Sequence, residues 1–248
     1  MPGRNGSWRF RLVAWIVEPL LVLLTRRRWS GQHHIPRDGG VILAANHISL
    51  VDPLTLAHFV YRSGRQVHFL AKSELFRQPV LGRVLLALGQ IPVYRHTADA
   101  ATALQDAEAA LRRGDCVVVY PEGTVTRDPN YWPMRGRTGL LRLALATGVP
   151  VIPVAQWGAQ EILGRDGRFR PFPRRTAWVT AGPPVDLSAY GGDADSTEVL
   201  RQGTDAVLGV VRRLLGGIRG EQPPTAFFDP MAASPAGPPT ADPDPRPA

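Results

Sequence analysis

Short apolar runs alternate along this chain with segments whose apolar residues recur at helical spacing, and this alternation limits the possible folds most strongly. The predicted strands cover residues 40–45, 67–71, 89–95, 116–120, 149–155 and 177–181. The predicted helices cover residues 53–61, 79–88, 99–113, 139–147 and 195–215. Such alternation predicts one α/β domain with a mostly parallel or mixed sheet flanked by helices, over residues 31–220. With 248 residues and 44% apolar content, the chain can bury a sizeable core.

The first 30 residues differ from the rest. Residues 12–24 are mostly apolar but too few to span a bilayer, which needs about 20. Arginines flank them on both sides, and Trp8, Trp15 and Trp29 lie in or beside them. This pattern favours a helix lying in the membrane interface over one packed on the protein's own core. Residues 221–248 are Pro-rich and without apolar periodicity, which predicts a disordered tail.

The chain is basic, with a formal charge of +8. This charge favours an anionic partner: a nucleic acid, an anionic membrane surface or a phosphorylated substrate. The aromatic content of 8%, with no stacking motif, argues against nucleic acid. Cys116 is the single cysteine and lies in an apolar run, so internal disulfides and cysteine metal clusters are excluded.

Polar residues follow the ends of four predicted strands: His47, Lys72, Arg95 and Glu122. In open α/β sheets, binding sites lie beyond the carboxyl ends of the strands. We therefore expect these side chains to share one edge of the sheet.

His47 and Asp52, five residues apart, are typical of a general base and the carboxylate that orients it. Alternatively, Asp52 before Pro53 simply begins a helix as its N-cap. Ser49 lacks the glycine-flanked turn of a nucleophilic serine, so the activated hydroxyl belongs to the substrate or to water. Phosphate could be held by Lys72, Arg95, Arg135 and Arg137, unless these are solvated surface charges.

Four blocks in order resemble the motifs of the glycerolipid acyltransferase family, most closely its 1-acyl-sn-glycerol-3-phosphate acyltransferases. They are Asn46-His47-x4-Asp52, Gly89-x-Ile91-Pro92-Val93-x-Arg95, Pro121-Glu122-Gly123-Thr124 and Val149-Pro150-Val151-Ile152-Pro153-Val154. The segment Ala71-Lys72-Ser73-Glu74-Leu75 resembles a further block. The resemblance covers roughly residues 30–185.

The resemblance implies that His47, held by Asp52, deprotonates the free hydroxyl of a lysophospholipid. That oxygen would attack the thioester of an acyl-CoA or acyl carrier protein, most plausibly converting 1-acyl-sn-glycerol-3-phosphate to phosphatidic acid. Acceptor binding would fall to Arg95, Glu122, Gly123 and Thr124, with Lys72 as a second phosphate ligand and Arg135 beside them. The family implies no metal, no cofactor and a peripheral or monotopic position on the cytoplasmic face of the cell membrane.

Three departures from the family pattern bear on the acceptor. Val125 stands where Arg or Ser is usual, Tyr120 where Phe is common, and Arg135-Gly136 where Lys-Gly is frequent. The first leaves open another lysolipid or alcohol as the acceptor. A thioesterase or phospholipase-type hydrolase and a non-catalytic lipid or nucleic-acid binder are the remaining alternatives.

Overall fold

A seven-stranded sheet forms the centre of the computed structural model, which describes residues 7–93, 100–192 and 196–230. The strands are β1 (Thr25–Ser30), β2 (Val41–Ala45), β3 (Val67–Lys72), β4 (Ile91–Val93), β5 (Cys116–Val119), β6 (Val151–Trp157) and β7 (Arg175–Ala181). The helices are α1 (Trp8–Leu24), α2 (Asp52–Arg62), α3 (Ser73–Phe76), α4 (Leu81–Ala87), α5 (Ala100–Arg112), α6 (Gly139–Thr147), α7 (Ala159–Ile162) and α8 (Thr197–Arg219). The predicted α/β class with a mixed sheet flanked by helices is confirmed.

The strand order is β1-β7-β6-β2-β5-β3-β4. The five strands from β6 to β4 run parallel, β7 is antiparallel to β6, and β1 is parallel to β7. In register, Leu43 of β2 lies opposite Val118 of β5 and Ile152 of β6. The carboxyl ends of the five parallel strands therefore meet at one edge of the sheet, as the polar residues beyond them predicted.

Alternate residues of the central strands supply two separate cores, because successive strand side chains point to opposite faces. On one face, Leu43 and Val118 join residues of α2, including Leu56 and Phe59. On the other face, the core combines residues of the strands with residues of α5, α6 and α8: Ile42, Val117, Ala107, Leu140 and Val207. Burial on both faces explains why these strands are continuous apolar runs in the sequence.

Strand β1 was not predicted. Residues 25–30 were assigned to the membrane-interface segment, but the structure pairs them with β7 at the edge of the sheet, with Thr25 opposite Arg175. The side chains of Arg26, Arg27 and Arg28 are exposed. Charged residues on an edge strand discourage pairing with another chain, and they also removed the alternation by which a strand is recognised. The predicted boundary between the membrane-interface segment and the α/β domain, at residue 30, is therefore wrong, because β1 belongs to the sheet.

Helix α1 is present as predicted, and it both packs on the protein and exposes apolar surface. It packs on the last turns of α2: the Phe10 ring lies 5.8 Å from that of Tyr61, and Glu18 Oε1 lies 3.3 Å from both His58 Nε2 and an Arg62 guanidinium nitrogen. Six of its large apolar side chains are exposed: Trp8, Leu12, Trp15, Ile16, Leu20 and Leu23. Among the residues that the structure describes, no helix is both long enough and apolar enough to cross a bilayer.

Residues 221–230 contact the domain, so the prediction of disorder from residue 221 is wrong for this part. Phe228 forms a β-bridge with Met134, and its carbonyl accepts a hydrogen bond from the Arg135 amide at 3.0 Å. The guanidinium of Arg212 lies 4.1 Å from the Phe227 ring centre. These two aromatic side chains give an otherwise Pro-rich segment something to bury. The rest of the predicted tail, residues 231–248, lies outside the described residues.

Arg65 joins three loops at the amino end of the parallel strands. Its side chain is buried, and its guanidinium donates to the carbonyls of Pro36, Gly39 and Gly114 at 2.7–2.9 Å. A hydrogen bond from a charged group contributes about 1.5–3 kcal/mol to the free energy of unfolding.

We expect Arg65→Met to lower the free energy of unfolding by about 3 kcal/mol, because three carbonyls lose a charged hydrogen-bond donor. Urea denaturation followed by circular dichroism measures this change. Arg113→Met is the matched control, since Arg113 is exposed and pairs only with Asp115 at the surface. Equal losses in the two variants would contradict the role given to Arg65.

Candidate functional site

His47 follows the last residue of β2, and the residue before it fixes its position. Asn46 is fully buried and exchanges hydrogen bonds with the backbone of Gln156 on β6, at 3.0 Å and 2.7 Å. The Gln156 side chain in turn donates to the Asn46 carbonyl at 3.2 Å. The end of β2 is thereby held to its neighbour, so His47 leaves the sheet from a fixed point. In the sequence, these hydrogen bonds are indicated by a polar residue, Gln156, directly after an apolar run.

The predicted pair of His47 and Asp52 is formed. His47 Nδ1 lies 2.9 Å from Asp52 Oδ2, and the Asp52 side chain is fully buried. The same oxygen accepts from the backbone amides of Ile48 and Ser49 at 2.5 Å and 2.8 Å. A carboxylate at Nδ1 favours the tautomer with the proton on that nitrogen, which leaves Nε2 free to accept one. Asp52 is the first residue of α2, preceded by Val51 as N-cap, so the simple N-cap interpretation is wrong.

The Tyr120 ring covers one face of the His47 imidazole. The two ring centres are 4.3 Å apart and the ring planes differ by 20°. Burial raises the pKa of the Tyr120 phenol well above its ordinary value, so the hydroxyl stays neutral. The ring therefore restricts the imidazole plane and can stabilise its protonated form through its π face.

Glu122 was predicted to bind substrate, but its carboxylate lies inside the protein and is used by the backbone. Oε1 accepts from the His47 amide at 2.9 Å, and Oε2 accepts from the Met134 amide at 3.0 Å. Burial raises the pKa of Glu122 to about 8, while the two amide donors oppose the shift. Glu122 thus acts on the site by positioning His47.

The loop after Glu122 surrounds His47 from the other side. The Thr126 amide donates to the His47 carbonyl at 2.7 Å, and the Gly123 amide donates to the Tyr120 carbonyl at 2.9 Å. Backbone amides beside His47 and at Gly123 are natural candidates for stabilising an oxyanion. Those of His47, Ile48, Ser49 and Gly123 already donate within the protein.

Gly123 has φ +71°, and a Cβ there would lie 3.1 Å from Arg137 Nε. The glycine therefore permits both the left-handed backbone and the close approach of the Arg137 side chain. Thr124, the next residue, is half-buried. Arg137 is consequently the cation that the structure places beside this loop.

The other predicted cations are placed differently. The guanidinium of Arg135 pairs with Asp229 at 3.0 Å and points to the C-terminal segment. Lys72 is exposed at the end of β3, on the same edge of the sheet as His47. Arg95 lies outside the described residues.

Ser49 is engaged in a structural bond. Its hydroxyl donates to the Leu163 carbonyl at 2.8 Å, and its amide donates to Asp52. This arrangement agrees with the interpretation that His47 acts on a hydroxyl from outside the protein.

A model of the acyltransferase family matches residues 26–157, which is more than half of the chain, so the chain belongs to this family. The match includes β2, the His47–Asp52 turn and the Glu122 loop. The predicted family is thereby confirmed.

Two kinds of relative support this assignment. The 1-acyl-sn-glycerol-3-phosphate acyltransferase of Borreliella burgdorferi is 33% identical over 126 residues, covering 50% of this chain and 48% of that protein. The enzyme of that name from Bacillus subtilis is 28% identical, covering 51% of this chain and 60% of its own. The alignments thus span about half the length of these relatives. The crystal structure of the 1-acyl-sn-glycerophosphate acyltransferase PlsC from Thermotoga maritima superposes with a TM-score of 0.66 at 26% identity, covering 86% of this chain and 80% of that one.

Tyr120→Phe should keep acyltransferase activity within about twofold, because the ring stack on His47 remains. Tyr120→Leu should lower kcat about fivefold with little change in KM, since an aromatic stack contributes about 1 kcal/mol. Steady-state kinetics measures both, with thermal denaturation to check folding. Equal losses in the two variants would assign the effect to the hydroxyl and contradict the role of the ring.

The free energy of unfolding should fall as pH rises from about 4.3 to 8. Over this range the unfolded chain loses the Glu122 proton at its ordinary pKa of about 4.3, whereas the folded protein, with a pKa of about 8, retains it. Urea denaturation at several pH values should give a slope about 1 kcal/mol per pH unit steeper for the natural protein than for Glu122→Gln. Parallel slopes would contradict the raised pKa.

Proposed function

We propose that this protein transfers a fatty acyl group from an acyl-CoA or acyl-carrier-protein thioester to the free hydroxyl of 1-acyl-sn-glycerol-3-phosphate. The product would be phosphatidic acid. The observation that carries the proposal is the 2.9 Å contact between His47 Nδ1 and the buried Asp52, which leaves Nε2 available as a base. Family membership and the names of the relatives support the same reaction.

In the proposed reaction, His47 Nε2 takes the proton of the acceptor hydroxyl as its oxygen attacks the thioester carbonyl carbon. The carbon–sulfur bond of the tetrahedral intermediate then breaks, and the thiolate leaves with the proton from the imidazolium. Asp52 stabilises the imidazolium from its Nδ1 side, and the Tyr120 ring stabilises it from one face. Ser49 takes no part, because its hydroxyl is bonded to Leu163.

We assign the acceptor phosphate to cations at the same edge of the sheet. Arg137 lies against Gly123, and its guanidinium can bind two phosphate oxygens at once. Lys72 and Arg95 would complete the phosphate site, and the Thr124 hydroxyl would hydrogen bond to the acceptor. We favour Arg137 over Arg135, because Arg135 is already paired with Asp229.

We further propose that the protein binds the cytoplasmic face of the cell membrane as a peripheral or monotopic protein. Exposed apolar residues of α1, including Trp15 and Ile16, support this proposal. The overall charge of +8 favours anionic lipid, and a membrane position would bring the protein to a lysophospholipid acceptor.

His47→Ala should lower acyl transfer by at least about 10²-fold, because it removes the general base. The assay supplies labelled acyl-CoA and acyl-carrier-protein thioesters to the purified protein, with a panel of lysophospholipids that includes lysophosphatidic acid. His33→Ala is the matched control, since His33 is an exposed histidine outside the site.

Turnover retained in His47→Ala would contradict the proposed mechanism. Labelled free fatty acid that forms regardless of acceptor would instead identify a hydrolase. Acylation of another lysolipid, but not of lysophosphatidic acid, would keep the mechanism and change the acceptor.

A further inference from the structure

A second surface, separate from α1, exposes large aromatic side chains. Residues 164–174, here called the aromatic loop, connect α7 to β7, and Phe169 and Phe172 in it are 60% and 69% exposed. A bridge between Leu163 and Phe169 and a 2.7 Å hydrogen bond from the Arg170 amide to the Ile162 carbonyl hold the loop as a hairpin. The two rings are therefore presented on a defined turn.

Arginines flank these rings along the chain. The loop contains Arg165, Arg168, Arg170 and Arg174, against Asp166 as its single acidic residue. Asp166 pairs with Arg170 at 2.7 Å, and Arg168 is mostly exposed. Aromatic rings among cationic side chains match the interface of an anionic bilayer, where rings enter the headgroup region and arginines contact phosphates.

The aromatic loop is attached to both α1 and the catalytic turn. The Arg174 guanidinium donates to the carbonyls of Val22 and Thr25, at the end of α1. The Leu163 carbonyl, just before the loop, accepts from the Ser49 hydroxyl beside His47. The loop therefore lies between the carboxyl end of α1 and the turn that carries the base.

More exposed apolar side chains occur at this end of the molecule. Leu50 and Leu54 follow His47 and are 71% and 48% exposed. Leu20 and Leu23, in the last turns of α1, are also exposed. The Arg174 bonds to the Val22 and Thr25 carbonyls place this end of α1 beside the aromatic loop.

We propose that the aromatic loop is a second contact with an anionic lipid surface, which together with α1 turns the His47 edge of the sheet toward the bilayer. The role of this orientation in acyl transfer rests on the proposed function, but the binding of the aromatic loop to lipid does not. A single helix in the interface leaves the protein free to rotate about the helix axis. A second contact beside the catalytic turn removes that freedom.

The test is binding of the full chain to vesicles of phosphatidylglycerol and phosphatidylcholine, measured by co-sedimentation. Phe169→Ser and Phe172→Ser should each weaken binding about tenfold, because each removes one ring from the interface. Trp15→Ser on α1 provides the comparison for the first contact.

Leu86→Ser is the matched control, because Leu86 is 62% exposed at the opposite edge of the sheet. Two residues after Leu86, the Leu88 carbonyl accepts a hydrogen bond from the Gln66 side chain, and Gln66 lies just before β3. The control should bind within about twofold of the natural protein, since its side chain lies on α4, outside the aromatic loop.

Binding of both phenylalanine variants at the natural affinity would overturn the proposal, and so would an equal loss in Leu86→Ser. Acyl transfer to a short-chain acceptor dissolved below its micellar concentration should be unchanged in the phenylalanine variants. If the natural protein acylates no lysophospholipid while these variants still lose vesicle binding, the proposed function fails and the second contact stands. If acylation is found and binding is unaffected, the second contact alone fails.

Discussion

The Glu122 carboxylate joins the two halves of the site, and the geometry of His47 depends on it. One oxygen holds the amide of His47 and the other holds the amide of Met134, which links the end of β2 to the loop that follows β5. The Thr126 amide completes the arrangement by donating to the His47 carbonyl. Both peptide groups of His47 are thus fixed by a neighbouring segment about 75 residues away in the chain. Preorganisation of this kind lets an imidazole act without reordering its surroundings.

Much of the architecture was predictable because the central strands are buried on both faces. Continuous apolar runs such as residues 41–45 and 116–119 indicate strands of a parallel sheet when helices separate them. The His47–Asp52 pair was also predictable, since five residues of turn bring both to the same strand end. Local sequence could not predict β1. Its partner strand lies 150 residues away, and its three arginines carry no strand pattern.

The position of Glu122 shows that residue type alone does not predict the direction in which a side chain points. A carboxylate after a strand in a family motif was predicted to touch substrate, but the sequence does not say which way the side chain turns. In the structure, two backbone donors and deep burial decide its direction. Arg135 and Arg137 differ because of their long-range partners. Arg135 pairs with Asp229, which belongs to a segment predicted to be disordered, whereas Arg137 lies beside Gly123. Long-range partners, rather than local pattern, therefore decide where these side chains lie.

The bond between the Ser49 hydroxyl and the Leu163 carbonyl has a consequence for kinetics and inhibition. With the Ser49 hydroxyl engaged in this bond, the proposed transfer goes directly from the thioester to the acceptor, and donor and acceptor would occupy the site together. In that reaction the acyl-CoA or acyl carrier protein would arrive from water and the lysophospholipid from the bilayer, so the ternary complex would form at the boundary of two phases. A bisubstrate compound that joins a thioester mimic to a glycerol phosphate would therefore be the natural ligand for capturing this protein in its reacting geometry.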